Sequence, residues 1–492
     1  MKNIEKILEH VPGKLLSGNL SGDIEDVIYD SRKIIKGCAF VCLKGASFDG
    51  HEFAAEAAEK GARLIVAEEP VTLPNDCPGT ALYLVSDTRE ALAWMSAAYF
   101  DYPGESLHII GITGTKGKTT STFMVKSILE DAGYKTGLIG TIGTLIDGVM
   151  TPSGNTTPES YVIQKAFREM ADSGCSHCVM EVSSQGLKMK RTDAIPFDIG
   201  VFTNISPDHI GPNEHASFEE YLSCKGLLFK KCKTGIFNSD DPHWEDVRGD
   251  SGCSVRTFGM NENADLMASD LKLEYAPGRL GISFDISGEE KGHIYVDQPG
   301  RFSVYNALTA MAVAHEYGAP LSDVMKALEN IHVKGRIELV HISDDFSIMI
   351  DYAHNAVALE SLLTTLKEYD PARLVTIFGC GGNRSKLRRF EMGEVSGRLS
   401  DLTVITSDNP RFEKPEDIIS DIETGIKKTS GEYVKIPDRG EAVKWAVKNA
   451  RKGDVIVLAG KGHEDYQEIC GVKHHMDERE LIMNAAAAAG LV

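Results

Sequence analysis

The chain of 492 residues is long enough for about three domains, at roughly 150 residues each. It carries 72 acidic and 52 basic side chains, and this net charge of −20 argues against nucleic acid or an anionic membrane as the main partner, since both require a basic surface. The first residues interrupt their apolar positions with charges, and no apolar run approaches the length of a membrane span. We therefore expect a cytoplasmic globular protein without membrane insertion.

The first hundred residues show a mixed pattern of strands and helices. Residues 38–43 and 64–67 are apolar runs typical of buried strands, and between them a helix is predicted to end near Lys60. The run Asp101-Tyr102-Pro103-Gly104 has the composition of a linker. The pattern indicates a first domain of mixed α/β structure that covers residues 1–102.

A glycine-rich turn follows the next strand-like run. Gly114-Thr115-Lys116-Gly117-Lys118-Thr119-Thr120 comes soon after the apolar residues 109–112, and residues 121–132 have the periodicity of a helix. Such a turn surrounds a phosphate with backbone N–H groups and adds a lysine cation and a hydroxyl for Mg2+. Ile112 replaces the first glycine of the strict pattern, so the motif is a shorter variant. We predict an ATP-binding loop in which Lys118 is an exposed cation; the alternative is an ordinary surface turn.

Two further strand-like runs, at 177–182 and 198–203, also lead into polar residues. Glu181 lies at the end of the first run and is well placed to hold Mg2+, unless it caps the following turn. His209, next to Asp208 after the second run, is another candidate metal or phosphate ligand, although single histidines are usually ordinary polar residues. Lys225 lies among apolar residues of a helix and, taken alone, is expected to extend its amine to solvent.

The remaining chain continues the alternation of strands and helices. Residues 265–299 have the pattern of antiparallel hairpins, and an alanine-rich helix opens at 300–306. A third unit begins near Val333, and its strand-like runs lie at 347–350, 373–378, 402–406 and 454–459. Polar clusters follow each of these runs, and the ends of parallel strands are where open α/β sheets build their sites. The chain is therefore predicted to belong to the α/β class.

The polar clusters of this last unit contain charges that suit an amino-acid ligand. Arg384 and Arg411 could each bind a carboxylate through two hydrogen bonds, and Glu464 could pair with an ammonium group. Solvent-facing loop charges are the alternative. The glycine-rich run 379–384 lacks the G-x-G-x-x-G spacing, so we exclude a nicotinamide or flavin cofactor.

Four motifs together resemble those of the Mur ligases, ATP-dependent amide-forming enzymes of peptidoglycan synthesis. The motifs are 114–120, 181–184, 351–354 and 460–464, and the resemblance extends over essentially the whole chain. It implies an amino-terminal uridine-nucleotide domain at 1–102, a central P-loop-type ATPase domain with a parallel sheet at 103–334, and a Rossmann-like amino-acid-binding domain at 335–492.

Asp408-Asn409-Pro410-Arg411 resembles the signature of family members that add meso-diaminopimelate, whose second carboxylate would pair with Arg411. The resemblance implies ATP-dependent addition of meso-diaminopimelate to UDP-N-acetylmuramoyl-L-alanyl-D-glutamate through an acyl phosphate. The partners would be these small molecules and ATP, with Mg2+ as cofactor and no nucleic acid. We expect a monomer.

The resemblance also implies roles for individual residues. ATP would be bound by Gly114, Thr115, Lys116, Gly117, Lys118, Thr119, Thr120, Asn306, Arg336 and Asp351. The UDP substrate would be bound by Ser31, the turn 46–48, Asn155, Thr156, Thr157, Ser183 and Arg191. The amino acid would be bound by Arg384, Asp408, Asn409, Pro410, Arg411, Gly460 and Glu464. Lys225 would be carbamylated by CO2 and would hold Mg2+ with Thr119, Glu181 and His209; Lys118, Lys225, His209 and Glu181 would be catalytic.

Met189 stands where relatives usually carry glutamine, two residues before Arg191, which puts one substrate hydrogen bond in doubt.

Other amino acids and other functions stay open at this point. The added amino acid could be L-lysine or another diamino acid, and folylpolyglutamate synthetase is a related amide ligase with a similar phosphate loop. A phosphotransferase, or a nucleotide-gated binding protein without catalysis, would differ in not requiring an amine for phosphate release.

Overall fold

The computed structural model describes residues 1–45, 48–208, 210–211, 214–276 and 279–492. The chain forms two compact units, one consisting of Met1–Asp265 and Leu308–Val324, the other of Leu266–Ala307 and Met325–Val492. Parallel strands alternate with helices along the chain in both units, which confirms the predicted α/β class. The boundaries of the three predicted domains stay predictions.

The first unit begins with a small mixed sheet. Its elements in chain order are β1 Lys2–Asn3, α1 Ile4–Ile7, β2 Gly13–Ser17, β3 Asp23–Ile24, β4 Val27–Ile28, β5 Ala39–Val41, α2 Ala54–Glu59, β6 Leu64–Ala67, β7 Ala81–Val85 and α3 Thr88–Tyr99. The sheet has the order β2-β7-β6-β5-β4. Strands β5 and β6, which the sequence predicts, are wholly buried because alternate residues pack into two core clusters on opposite faces.

The first unit continues with a larger sheet. Its elements are β8 His108–Thr113, α4 Lys118–Asp131, β9 Thr136–Ile139, β10 Thr144–Ile146, β11 Val149–Thr151, α5 Ser160–Asp172, β12 His177–Glu181, α6 Ser184–Lys188, β13 Phe197–Phe202, α7 Phe218–Gly226, β14 Cys232–Asn238, α8 Trp244–Arg248 and β15 Ser254–Gly259. Strand β8 lies between β12 and β13 and is parallel to both. The polar residues that follow these three strands therefore meet at one edge, as predicted.

The second unit contains an antiparallel ribbon and a second parallel sheet. Its elements are β16 Leu266–Ala276, β17 Arg279–Gly288, β18 Gly292–Val296, α9 Arg301–Glu316, α10 Leu321–Glu329, β19 Glu338–Leu339, β20 Ser347–Asp351, α11 Ala356–Lys367, β21 Arg373–Phe378, α12 Lys386–Leu399, β22 Leu402–Ile405, α13 Pro415–Ile426, β23 Tyr433–Lys435, α14 Arg439–Lys448, β24 Asp454–Ala459, β25 Tyr466–Ile469, β26 Val472–His475 and α15 Glu478–Ala489. Parts of α9 and α10 belong to the first unit.

The parallel sheet of the second unit has the order β19-β20-β24-β21-β22-β23. Only its edge strand β19 is antiparallel to its neighbour, and β24 lies between β20 and β21. Core clusters cover both faces, which explains why these strands are continuous apolar runs in the sequence. The predicted hairpins at 265–299 are also confirmed, since β17 pairs antiparallel with β16 and with β18.

Within the described ranges, no helix has both the length and the apolar character that crossing a bilayer requires.

A buried histidine lies at the start of β12, at the sheet edge opposite the polar clusters. His177 is 2% exposed and its ring lies among the rings of His108, Tyr134 and Tyr317, with centroids 4.6 to 4.9 Å away. Burial first and the neighbouring His108 second lower the pKa of His177 to about 4, against the smaller opposing effect of Asp198.

We expect this histidine to make the protein less stable in mild acid. Its pKa is 6.5 when unfolded and about 4 when folded, so the unfolded chain takes up the proton first as the pH falls. His177 should not affect the free energy of unfolding above pH 7. Its contribution should lower that free energy by about 3 kcal/mol between pH 6.5 and 4. Denaturant unfolding of the wild type and His177→Phe across this range measures the effect. An equal loss of stability in both proteins would contradict it.

Candidate functional site

The phosphate loop connects β8 to α4 and requires its two glycines. Gly114 has φ 157° and Gly117 has φ 87°, both in a region that favours glycine. A Cβ at Gly114 would lie 1.9 Å from the hydroxyl of Thr203, so no larger residue fits there. Gly114 therefore packs directly against the residue that follows β13.

Residues after β13 hold this loop in place. The Thr115 N–H donates to the Asn204 carbonyl and the Lys116 N–H donates to the Asn204 side chain, each over 2.9 Å. The Thr203 hydroxyl donates to the Lys116 carbonyl over 2.8 Å. Sequence reasoning missed Thr203 and Asn204, although the polar cluster that begins there was a usable signal.

Helix α4 begins at Lys118, three residues before the predicted start at 121. Lys118 is therefore the first helical residue and is half-buried, which corrects the prediction of an exposed loop cation. Its amine donates to the carbonyls of Gly114 and Thr115 over 2.8 and 3.2 Å. Among the described residues no side chain caps this helix end, so its first N–H groups point into the loop.

Glu181 ends β12 next to the phosphate loop and is 1% exposed. Its carboxylate accepts the hydroxyls of Thr119 and Thr141 over 3.0 and 3.1 Å and the Thr141 N–H over 2.8 Å. It does not cap the following helix, because Ser183 is the cap of α6. The arrangement places a buried carboxylate and a phosphate-loop hydroxyl in contact.

Lys225 lies in α7, and its side chain is 1% exposed. It does not extend to solvent as the sequence suggested, since its amine lies 4.3 Å from the centre of the Tyr221 ring. Burial lowers the pKa of Lys225 well below its usual value, and the charge of Lys118 lowers it further, while Asp208 opposes both. Such a shift favours the neutral, nucleophilic form of the amine. The other predicted metal ligand of this region, His209, lies outside the described residues.

Four of the residues predicted to bind the UDP substrate form one cluster near Glu181. The Thr157 hydroxyl donates to the Glu181 carbonyl over 3.0 Å and accepts the Ser183 N–H over 2.9 Å. The Thr156 and Thr141 hydroxyls are 3.0 Å apart. Arg191 pairs with Glu159 over 2.7 Å and donates to the Thr157 carbonyl over 3.0 Å.

The structure shows less of the other predicted contacts to the UDP substrate. Asn155 is exposed, and Ser31 is half-buried at the start of a short 3-10 helix, Ser31–Lys33. Burial raises the pKa of Tyr29, two residues before Ser31, and the charge of Glu159 raises it further. In the predicted turn 46–48, residues 46 and 47 lie outside the described part of the chain.

Three residues predicted to contact ATP belong to the second unit. Asn306 is buried in α9, and the Arg336 guanidinium lies 4.9 Å from the centre of the Tyr352 ring. Asp351, at the end of β20, accepts the N–H groups of Ile337 and Ala353 over 2.9 and 2.8 Å. Burial raises the pKa of Asp351, against the opposing charge of Arg336 and these two hydrogen bonds.

Arg411 follows β22 and is clamped by two other loops. Its guanidinium donates to Glu468, in β25, over 3.1 Å and to the Gly382 carbonyl over 2.8 Å. Its backbone has φ 52°, and it is held there by bonds from its N–H to the Glu468 carbonyl and from the Cys470 N–H to its own carbonyl. The guanidinium is thus fixed in position, in contrast to Arg384, which is exposed.

A buried lysine connects the other predicted amino-acid ligands. Lys461 is fully buried, and its amine donates to Asn409 and to Glu464, each over 2.9 Å, and to the Tyr466 carbonyl. Asn409 in turn donates to Glu464 over 2.9 Å. Burial alone would raise the pKa of Glu464, but Lys461 and Asn409 outweigh it and the pKa is lowered. The sequence analysis did not identify Lys461 or Glu468 as functional residues, although Lys461 lies inside the motif 460–464.

Close backbone approaches bring the remaining loops together. A Cβ at Gly382 would lie 1.9 Å from the Pro410 carbonyl oxygen, so the loop after β21 contacts the loop after β22 directly. Gly460 has φ 110° after β24, and a Cβ there would lie 3.4 Å from the Asp408 carboxylate. The predicted amino-acid residues therefore form one cluster at the strand ends, with Arg384 at its exposed side.

In the part of the chain that the structure describes, no three His, Cys, Asp or Glu side chains come together as a metal cluster. Phosphate oxygens and water can contribute ligands to a cation at the phosphate loop, as they usually do for Mg2+ beside a nucleotide.

A phosphate loop with a buried carboxylate and a buried lysine, and a second parallel sheet with a clamped guanidinium, define a nucleotide-dependent α/β enzyme. Family models agree in three segments: the Mur ligase family catalytic domain matches 23–100, the Mur ligase middle domain matches 112–314, and the Mur ligase glutamate ligase domain matches 335–462. The chain belongs to the Mur ligase family, whose members use ATP and Mg2+, and it is a ligase.

Individual relatives are similar over nearly their whole length. UDP-N-acetylmuramoyl-L-alanyl-D-glutamate–2,6-diaminopimelate ligase 1 of Clostridium acetobutylicum is 43% identical, covering 97% of this chain and 98% of that protein. The ligase of the same name from Caldanaerobacter subterraneus subsp. tengcongensis is 42% identical, with 96% of each chain covered. A solved structure of a UDP-N-acetylmuramoyl-L-alanyl-D-glutamate–2,6-diaminopimelate ligase superposes with a TM-score of 0.73, at 28% identity and full coverage of both chains.

Proposed function

We propose that this enzyme adds meso-diaminopimelate to UDP-N-acetylmuramoyl-L-alanyl-D-glutamate in peptidoglycan synthesis, at the expense of ATP. The observation that carries the choice of amino acid is the clamped Arg411 guanidinium, which lies in one cluster with the ionised Glu464. A diamino acid with a second carboxylate offers a partner for the guanidinium, whereas L-lysine does not. The relatives named above support the same substrate pair.

The phosphate loop supports activation of the substrate as an acyl phosphate. A carboxylate is a poor electrophile, and transfer of the ATP γ-phosphate gives it a good leaving group. Lys118, the uncapped N–H groups of α4 and the loop N–H groups would stabilise the charge on the transferring phosphate. The amine of the incoming amino acid then displaces phosphate.

The residues near the loop fit Mg2+. Glu181 and Thr119 supply oxygen ligands 3.0 Å apart, and hard cations prefer such ligands beside phosphates. We propose that they hold the cation together with His209 and Lys225, the latter as a carbamate. When bound, Mg2+ would neutralise phosphate charge.

Carbamylation of Lys225 is supported by its burial beside Lys118 and Tyr221. A neutral amine adds to CO2 and releases one proton to solvent, so the product replaces an uncharged amine by an anion that attracts both Mg2+ and the Lys118 charge. We further propose that the predicted contacts to ATP, the UDP substrate and the amino acid act as the family resemblance implies. The three predicted domains and the monomeric state also stay proposals, as does a cytoplasmic location, where ATP is supplied.

Lys225→Ala should be inactive and should recover part of its activity with short carboxylic acids. The acid would occupy the space of the missing side chain and return the anion. Turnover is measured against acetate or formate concentration, with chloride at equal ionic strength as control. Lack of rescue at any acid concentration, in a folded variant that still binds ATP, would contradict the carbamate.

The proposed function is tested by an amino-acid panel with UDP-N-acetylmuramoyl-L-alanyl-D-glutamate and ATP, following ADP release and the ligated product. We expect release with meso-diaminopimelate to exceed that with L-lysine, L-ornithine or no amine by about 100-fold or more. Faster release with L-lysine would favour the alternative amino acid. Amine-independent release would indicate a phosphotransferase, and ATP binding without release would indicate a binding protein.

A further inference from the structure

We propose that Tyr221 is a positioning residue that joins the phosphate loop to the amine of Lys225. Its hydroxyl would set the loop conformation at Thr115, and its ring would set the place of the amine that becomes the carbamate. The inference rests on the proposed function, because it assigns a role within that ATP and carbamate site.

The first contact is the hydrogen bond between the Tyr221 and Thr115 hydroxyls, 2.9 Å long and buried. Thr115 is central to the loop, since its N–H donates to the Asn204 carbonyl over 2.9 Å and its hydroxyl accepts the Ser206 N–H over 3.1 Å. The Tyr221 hydroxyl therefore connects α7 to the loop segment between its two glycines. Loss of this bond removes the link from the Thr115 hydroxyl to α7 and leaves the contacts of Thr115 to Asn204 and Ser206.

The second contact is made by the ring of the same residue. Lys225 follows Tyr221 by one helical turn, so both side chains lie on one face of α7. The amine lies 4.3 Å from the ring centre, and Tyr221 is fully buried. The His215 ring packs against the Tyr221 ring, and the two ring centroids are 5.1 Å apart. The Tyr221 ring therefore cannot tilt away from the amine without moving His215.

Through these two contacts the Tyr221 side chain is connected both to the phosphate loop and to the Lys225 amine. A phosphate loop that shifts on binding nucleotide would move the Tyr221 hydroxyl and, through the rigid ring, the position of the Lys225 amine. The hydroxyl and the ring can be removed separately. Tyr221→Phe removes the hydroxyl and keeps the ring, whereas Tyr221→Leu removes both.

The hydroxyl is tested by a double-mutant cycle of Tyr221→Phe and Thr115→Val, with ATP affinity measured by calorimetry. Tyr83→Phe is the matched control, because its buried hydroxyl donates to the Val11 carbonyl over 3.0 Å in the amino-terminal sheet. We expect each single variant to bind ATP about 10-fold more weakly and the double variant to be no weaker than the singles. Tyr83→Phe should bind ATP as the wild type does. Additive losses in the cycle, or a Tyr221→Phe affinity equal to that of Tyr83→Phe, would overturn the role of the hydroxyl.

The ring is tested by 13C NMR of the carbamate in 13C-labelled bicarbonate. We expect Tyr221→Phe to keep the wild-type carbamate occupancy and Tyr221→Leu to need about 10-fold more bicarbonate for half occupancy. Equal half-occupancy in Tyr221→Leu and the wild type would overturn the role of the ring while the proposed function stands. No carbamate signal in the active wild type would overturn both the carbamate and the role of the ring. If Tyr221→Leu does not fold, Tyr221→Phe provides the test, because it keeps the ring. Loss of the carbamate signal in Tyr221→Phe would then overturn the assignment of the amine position to the ring alone.

Discussion

Replacing Lys118 by alanine should lower turnover by about 10³-fold or more without unfolding the protein. Its amine donates to two carbonyls of the phosphate loop, and it would face the γ-phosphate during transfer. The variant should also bind ATP more weakly, because the helix N-terminus and loop N–H groups alone would hold the phosphates. Initial rates at saturating ATP, with circular dichroism of the same samples, measure both effects.

Lys126→Ala is a matched control for this change. Lys126 lies on the same helix and pairs with Glu130 one turn on, over 2.5 Å, so its loss removes a helical lysine without touching the loop. Its turnover should equal that of the wild type. A Lys118→Ala enzyme that keeps more than a tenth of the wild-type turnover would show that the loop amine does not stabilise the transferring phosphate.

The second large effect is expected at Arg411. Arg411→Ala should remove the preference for meso-diaminopimelate over L-lysine, lowering the ratio of their kcat/KM values by about 100-fold or more. The reason is that the guanidinium is clamped by Glu468 and Gly382 and would offer its remaining N–H groups to the distal carboxylate. The ratio, measured with each amine at saturating ATP, isolates recognition from general damage.

Two further variants sharpen this test. Arg411→Lys keeps the charge without the planar fork and should retain only part of the preference. Arg398→Ala removes an exposed arginine that pairs with Glu360 in the same unit and should leave the ratio unchanged. An unchanged ratio in Arg411→Ala would place the distal carboxylate elsewhere.

Strand ends were the most predictable part of the molecule. Continuous apolar runs followed by polar residues identified β8, β12, β13 and the strands of the second parallel sheet, because strands buried on both faces leave this pattern in a single sequence. The glycine turn and its lysine were also predictable, although the start of α4 was wrong by three residues. Helix starts are difficult when a glycine replaces a capping side chain.

The connections between distant loops were not predictable. Tyr221 lies 106 residues from Thr115, and Glu468 lies 57 residues from Arg411, so no local pattern reports either contact. The burial of Lys225 was missed for the same reason. Whether a helical lysine among apolar residues reaches solvent depends on what packs over it, and distant parts of the chain decide that.

The left-handed backbone of Arg411 has an evolutionary consequence. Arginine at φ 52° carries a conformational strain of about 1 kcal/mol that glycine at the same place would not. Replacement by glycine would relieve this strain, but it would remove the guanidinium bonds to Glu468 and Gly382 and leave the loop blind to a distal acid. A single substitution at this position therefore trades backbone strain against recognition of the added amino acid.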